Sequence, residues 1–546
     1  MKHIRIFLIA MICSFMQNVN AQRLVISPQN ILDPQHSGLL LLSLPNNDNQ
    51  QVTALQDGKA IDVEYNEKMV RLPYNPKGGN IIVYLSIPKI PPADVTRNMN
   101  QRQMLLQLGI RLPILPSIDV DPHRPTNSMD VFGKKDRVKN NNGELMLRSL
   151  WGLWTNYDDR SSGLFPGADS VLVGNYPDLP VLKTFGGKKV RTKEDWWNIR
   201  RPEIVEEVQK NWLGMMPTRG IWPKVSFTVT KKKGSVEGYD YTEQRITGII
   251  DCSRYLGIPH HPIIKAILRL PAHITKAVPV MIIVGGQWAP DLYWKIMAEH
   301  GWGVCLFNYN ALQPDDGNYL TDYFIGLMNK GSWRKPDDIG TVGAWSWGVS
   351  RIIDYLETQH SVNAKAIGIS GHSRFGKTAL FTMAFDPRIA IGYPSDSGSM
   401  GVKKNRRHWG QDWEISANVS ECHWFAGNFM KYCGALYPGQ YLPRKVANLR
   451  IDAQHVLALC APRPVFLNGG DKSWGLDPYG MFLTAKAATP VWRLLGKQGL
   501  VCPDKKPRVN TAYLEGTIGY RLHAGGHTDQ PDWPSFFIFS KRIIGY

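Results

Sequence analysis

The 546-residue chain reads as an α/β protein built on a doubly wound, mostly parallel sheet, and three observations carry that reading. From Ala277 onward, buried apolar runs alternate with amphipathic ones: AVPVMIIVGG extended, DLYWKIMAEHG helical, GWGVCLFNYN extended, VGAWSWGVSRIIDYLETQ helical. The stretch KAIGISGHSRFGKTAL, from Lys365 to Leu380, is a buried strand that turns sharply into a helix, with Ser373 on the turn between Gly371 and Gly376. Strand–helix order then resumes with RIAIGYPSDSG, a loop-rich insertion, PRPVFLNGGD, GMFLTAKAATPVWRLLG and a last strand around Tyr513 to Leu522.

Four segments precede or contain this pattern. Residues 1–21 (Lys2 and Arg5, an apolar run, then Val19-Asn20-Ala21) have the layout of a secretory signal peptide, too short and wrongly flanked for a membrane span. Residues 22–92 carry short alternating runs such as VEY, VRL and NIIVYLSI between polar turns, which predicts a β-rich module. Residues 93–180 are expected to be a connecting segment, with a helix around Asn98 to Leu108 and Pro-, Asn- and Asp-rich loops. The region 181–546 is the main domain; near its start DWWNIRRPEIVEEVQKNWLG predicts an amphipathic helix, and KVSFTVTKKK and TEQRITGIIDC two antiparallel strands.

Composition narrows the class. The formal charge of +18 (64 Lys and Arg against 46 Asp and Glu) becomes +16 without Lys2 and Arg5. A basic exported protein suits nucleic acid, an anionic membrane surface or an acidic polysaccharide; the sequence contains no nucleic-acid module, and export argues against that partner. The densest basic cluster, Lys403, Lys404, Arg406 and Arg407, reads equally as a solvated loop or a substrate-facing one. Beyond the signal stand Cys252, Cys305, Cys422, Cys433, Cys460 and Cys502, whose spacing fits no metal site and no disulfide scaffold, leaving room for one or two bridges. No metal, no cofactor, no membrane span and a monomer are expected.

A serine held on a strand-to-helix turn projects its hydroxyl above the sheet edge, where the helix N-terminus offers N–H groups to an oxyanion. An ordinary Gly-rich turn would look similar, and Phe375 stands where the general Gly-x-Ser-x-Gly pattern has its second glycine. Serine needs a base, and the base needs a group that fixes its tautomer. After the last strand, GYRLHAGGHTDQPDW offers His523, within the strand-like run, and His527, beyond two glycines; His527 is the better placed. The acid is expected after PRPVFLNGGD, at Asp471 or Asp477, or one strand earlier at Asp396. This Ser–acid–His order is that of the α/β-hydrolase fold.

The run GHSRFGK resembles the Gly-x-Ser-Arg-x-Gly-Lys signature of the glucuronoyl esterases, carbohydrate esterase family 15. Further matches in KEDWWNIRRPEI, YTEQRITGIID, SECHWFAGNF, LCAPRPVF, LDPYGMFL and GGHTDQPDWPSF extend the resemblance over most of Asp195 to the C-terminus. The resemblance implies Ser373 as nucleophile, His527 as base and Arg374 as a charged oxyanion donor. It implies Lys377, Glu421, Trp424 and Trp474 as the residues around the glucuronate ring. Family members carry the acid after either of two strands, and this chain has Asp396 at one and Asp477 at the other. Asp396 is one methylene shorter than the glutamate of fungal members, so Asp477 is expected to dominate. His372 replaces a cysteine that anchors a disulfide in fungal members, as in a bacterial-type member.

The expected activity is hydrolysis of the ester between 4-O-methyl-glucuronoyl groups of glucuronoxylan and lignin-type alcohols, by a secreted or periplasmic enzyme. An acetyl xylan esterase would not need Lys377, Glu421 and Trp474. A non-catalytic glycan-binding protein would not need Ser373, His527 and two acids.

Overall fold

The structure, a computed structural model, describes residues 177–546 except 218–219, 221, 332–333, 336, 408–421, 433–434, 438–439, 442–448 and 474–475. Before 177 it describes a set of strands and residues 77–78. The chain divides into two compact units, Met1–Val131 with Trp333–Pro336, and the remainder.

In the first unit the strands Ala21–Ile26, Val52–Gln56, Lys59–Ile61 and Ile81–Ser86 form one four-stranded sheet. Gly38–Ser43, Glu64–Asn66, Met69–Tyr74 and Arg5–Phe7 form another. All of these strands but Arg5–Phe7 fall in the span expected to be β-rich or begin at its edge. Most of the expected signal peptide, and the expected helix around Asn98, lie outside the described residues. Within 93–180 the strands Arg137–Lys139, Leu145–Arg148 and Trp154–Asn156 pair antiparallel, which the loop reading missed.

The second unit is organised by a ten-stranded sheet. Its strands are β1 (Val225–Val236), β2 (Tyr239–Ile250), β3 (Ile263–Pro271), β4 (Val278–Val284), β5 (Gly303–Asn308), β6 (Val362–His372), β7 (Ile391–Ser395), β8 (Val465–Gly470), β9 (Thr511–Tyr513) and β10 (Ile518–His523). They lie in the order 1-2-3-5-4-6-7-8-10-9. Pairing is antiparallel from β1 through β3 to β5, parallel from β5 to β10, and antiparallel again at β9. The doubly wound sheet is therefore as expected. Strand β3 was not foreseen: Ile263, Ile264, Ile267 and Leu268 fall at a spacing that a helix also satisfies, and only the flanking strands β2 and β5 decide for extension.

Among the described residues the longer helices are α1 (Arg201–Asn211), α2 (Pro290–Ala298), α3 (Thr341–Leu356), α4 (Arg374–Phe385), α5 (Pro478–Leu494) and α6 (Trp533–Ile544), of which α2 to α6 pack on the sheet. The central strands are buried along their length, so their apolar residues run unbroken rather than alternating. One face is filled by Trp294 and Met297 of α2 and Trp533, Phe536, Phe537 and Phe539 of α6, packed with Met281, Ile283, Tyr393 and Phe466 from the strands. Helix α4 packs against α3 and against β6 and β7, which sets the elbow rigidly at the carboxyl edge of the sheet. Among the described residues no helix is long and apolar enough to cross a membrane.

Candidate active site

Ser373 stands between β6 and α4 with φ 60° and ψ −124°. A non-glycine residue keeps such a conformation only where its surroundings hold it. Two glycines make the turn feasible. A Cβ on Gly371 would fall 2.3 Å from the Phe375 carbonyl oxygen, and one on Gly376 2.6 Å from that of Ser395. The second glycine is thus required at 376, where α4 passes the end of β7. Phe375 points elsewhere, its ring 4.6 Å from Tyr309 and 5.5 Å from Trp345. It fills the space over Gly285, where a Cβ would lie 2.5 Å from the ring.

Arg374 opens α4, so its N–H belongs to the first turn, whose donors lack intrahelical partners. Its guanidinium carbon lies 5.7 Å from the centre of the Trp424 ring, and Lys377 Nζ lies 5.3 Å from the same ring. Lys377 is buried and donates to the Ser397 carbonyl at 2.7 Å. Arg374 and Lys377, from one motif, are therefore gathered on the indole of Trp424, from another, beside the elbow. Glu421 and Trp474 lie outside the described residues.

His527 follows β10 beyond Gly525, whose φ of +130° is open to glycine alone. Its loop is tied to the end of β8: Lys472 N–H donates to the Gly525 carbonyl at 2.8 Å, and Gly525 N–H donates to Asp471 Oδ1 at 2.7 Å. A Cβ on Gly470 would strike the Gly526 carbonyl oxygen at 2.2 Å, so the two loops can approach only because that residue is glycine. The His527 ring packs on His372, the neighbour of Ser373, with centroids 4.0 Å apart. His372 is held by Ser395 Oγ at 3.1 Å, and burial, followed by the nearby His527 and His523, pushes it down to about 3. The ring beside His527 is thus neutral.

Of the two candidate acids, Asp396 rather than the favoured Asp477 is the one that lies against His527. His527 Nδ1 lies 2.7 Å from Asp396 Oδ2, which also accepts from Ser473 Oγ at 3.0 Å. Asp396 is fully buried at the end of β7 with φ 38°, and that kink, with the inward loop of His527, closes the gap its shorter side chain was expected to leave. Asp477, in contrast, caps α5 by accepting from Gly480 N–H at 2.9 Å and pairs with Arg407 Nε at 3.0 Å. Burial pushes its carboxyl up, against the pull of Arg407 and Lys403. The basic cluster is likewise neither solvated nor open: Lys403, Lys404 and Arg406 are buried, with Lys404 on Asp178 at 2.5 Å and Arg406 on the Pro177 carbonyl.

Sequence reading singled out His523 but missed two supports, its partner Asp532 and Asp315. His523 donates from Nδ1 to Asp532 Oδ2 at 2.7 Å and from Nε2 to the Gly526 carbonyl at 2.9 Å. Burial works against its charge, but Asp532 and that carbonyl prevail and hold its pKa above the ordinary imidazole value. Asn468 continues the chain, donating to Asp532 at 2.6 Å and accepting from the Asp396 N–H at 2.9 Å. The other support is Asp315, in a loop whose sequence PDDG reads as an ordinary turn. It touches His423, Trp424 and Arg374. Among the described residues no cluster of His, Cys, Asp or Glu is placed to hold a metal, and Cys252, Cys305, Cys460 and Cys502 are free thiols.

Comparison with known proteins joins this geometry to a family. The family model described as "Glucuronyl esterase, fungi" matches residues 261–496. A carbohydrate esterase, MZ0003, from an unknown prokaryotic organism is 34% identical over 268 residues, 48% of this chain and 57% of that protein. The 4-O-methyl-glucuronoyl methylesterase of Cerrena unicolor is 30% identical over 342 residues, 60% of this chain and 65% of its own. The chain thus spans less than two thirds of these curated relatives. A glucuronoyl esterase structure from Teredinibacter turnerae superposes with a TM-score of 0.59 at 33% identity, over 69% of this chain and 90% of that one. The chain belongs to the glucuronoyl esterases of carbohydrate esterase family 15.

Proposed function

We propose that the protein is a serine esterase that cleaves the ester between 4-O-methyl-glucuronoyl groups of glucuronoxylan and lignin-type alcohols. The observation that carries the reading is the pairing of His527 with buried Asp396, its ring packed on His372 next to the elbow serine, with Arg374 and Lys377 of the elbow helix gathered on the Trp424 indole.

In this reading Ser373 Oγ attacks the C6 carbonyl of the uronate while His527 Nε2 takes the hydroxyl proton. Asp396 holds the Nδ1–H tautomer and stabilises the imidazolium. The oxyanion receives the Arg374 N–H and its guanidinium, donors already in place before charge develops. The ester C–O bond then breaks and His527 passes its proton to the leaving alkoxide. Water, deprotonated by His527, attacks the acyl-enzyme; Ser373 regains a proton and the free uronate leaves. Lys377 supplies an ammonium for sugar hydroxyls, and the Trp424 indole a face for the C–H surface of the ring. Glu421 and Trp474 are assigned the same recognition on the family pattern alone.

The N-terminal charge and apolar pattern support export, to the periplasm or the medium, and a monomeric enzyme is proposed. The deciding experiment compares alcohol release from a benzyl glucuronate ester with acetate release from acetylated xylan. Preferential cleavage of the glucuronate ester is expected. Preferential deacetylation would favour an acetyl xylan esterase, and inactivity on both a binding protein.

A further inference from the structure

Asp315 lies in the loop between β5 and the helix Tyr323–Met328. The loop is fixed by Gln313, which is fully buried: its side chain donates to the Tyr319 carbonyl at 2.9 Å and accepts from Ile325 N–H at 2.9 Å, and its carbonyl accepts from Trp345 Nε1 at 2.8 Å. The carboxylate at the tip of this frame therefore has little freedom. Its Oδ1 accepts from Trp424 Nε1 at 2.6 Å and from His423 Nε2 at 2.9 Å, and its Oδ2 lies 3.2 Å from Arg374 Nε.

From these contacts we infer that Asp315 is a positioning residue that sets the charged oxyanion donor and the sugar platform with one carboxylate. The inference rests on the roles given above to Arg374 and Trp424. Engaging Arg374 through Nε leaves both terminal nitrogens of the guanidinium for a ligand. The Arg374 side chain is 42% exposed, and a long, half-exposed arginine without an anchor samples many rotamers. Oxyanion stabilisation depends on donors that need no rearrangement as charge appears. The indole is pinned by its edge through the same carboxylate, so its face stays turned toward Arg374 and Lys377. The three donors also offset the cost of burying Asp315, whose carboxyl His423 and Arg374 hold below the usual range against the opposing effect of burial.

The chain around Trp424 is held independently of Asp315. Thr341 Oγ1 donates to the His423 carbonyl at 3.1 Å, Ala426 N–H donates to the Trp212 carbonyl at 2.7 Å, and a Cβ on Gly340 would lie 2.3 Å from the Trp424 carbonyl oxygen. Replacing Asp315 should accordingly loosen two side chains and leave the backbone in place.

The test is a mutant cycle with Asp315→Asn, Arg374→Ala and the double variant, assayed for kcat and KM on a benzyl glucuronate ester and on a small aryl acetate. Asp315→Asn is expected to lower kcat about 10- to 100-fold on both esters, because both form an oxyanion, and to raise KM several-fold on the glucuronate ester alone. In the Arg374→Ala background the same substitution should change kcat less than about threefold. Multiplicative losses in the double variant, or a folded Asp315→Asn enzyme with ordinary kcat and KM, would overturn the inference. Unchanged turnover in Arg374→Ala alone would instead show that the oxyanion role of Arg374 is wrong, and the inference would fall with it. Asp315→Ser provides the same reading if Asp315→Asn does not fold; if neither folds, the residue is a folding determinant and the inference fails.

Discussion

His527 Nδ1 and Asp396 Oδ2 are 2.7 Å apart, although 131 residues separate them and the carboxylate is wholly shut off from solvent. Because that oxygen also accepts from Ser473, its orientation does not depend on the imidazole alone. Asp396→Asn should therefore cost about 10⁴ in turnover, the loss typical when the carboxylate behind a catalytic histidine is neutralised. Asp477→Asn should leave kcat within a few-fold while lowering stability by roughly 1.5–3 kcal/mol, since it breaks a charged hydrogen bond to Arg407 and keeps the helix cap. Kinetics and thermal melts of both variants check this. A larger kcat loss from Asp477→Asn would restore it as the working acid.

Ser373→Ala should reduce ester hydrolysis by several orders of magnitude with an unchanged melting temperature. Retained turnover by the folded variant would remove the elbow assignment.

Lys377→Met should weaken hydrolysis of glucuronate esters well beyond that of an aryl acetate, because the acetate has no sugar hydroxyls to contact. The difference should approach the worth of one charged hydrogen bond, about 1.5–3 kcal/mol. Equal losses on both substrates would mark the Ser397 contact as purely structural.

His523 gives a pH dependence of definite sign. Its native pKa is raised above the unfolded value of 6.5 by Asp532 and the Gly526 carbonyl. The stabilisation is thus complete below about pH 6.5 and fades as pH rises through the native value. The melting-temperature gap between the wild type and His523→Gln should be widest in mild acid and narrow toward alkaline pH. A gap that widens with pH would contradict the charged state drawn for His523.

The elbow was legible in the sequence because a turn that forces close backbone approach must be written in glycine, and Gly371 and Gly376 are both required by it. The central strands were legible because burial on both faces leaves unbroken apolar runs. Three things were hidden. The choice between Asp396 and Asp477 turns on a backbone kink of φ 38° that no local pattern announces. The strand β3 owes its extension to neighbours distant in the chain. Asp315 matters only because Trp424, more than a hundred residues later, folds back onto it, and a PDDG turn looks the same with or without such a visitor.

Three histidines crowd the elbow, and their surroundings assign each a different chemical fate. His372 is neutral and half-buried between the His527 ring and Ser395 Oγ, and His523, its pKa held above the ordinary value, has a side chain 1% exposed and bonded at both nitrogens. Only His527 is open, with a side chain 37% exposed and its Nδ1 committed to Asp396. A reagent that acylates free imidazole nitrogen would therefore find one target here, at Nε2 of His527. Inactivation should follow a single modification, be blocked by bound ester, and leave the other two rings unlabelled until the chain unfolds.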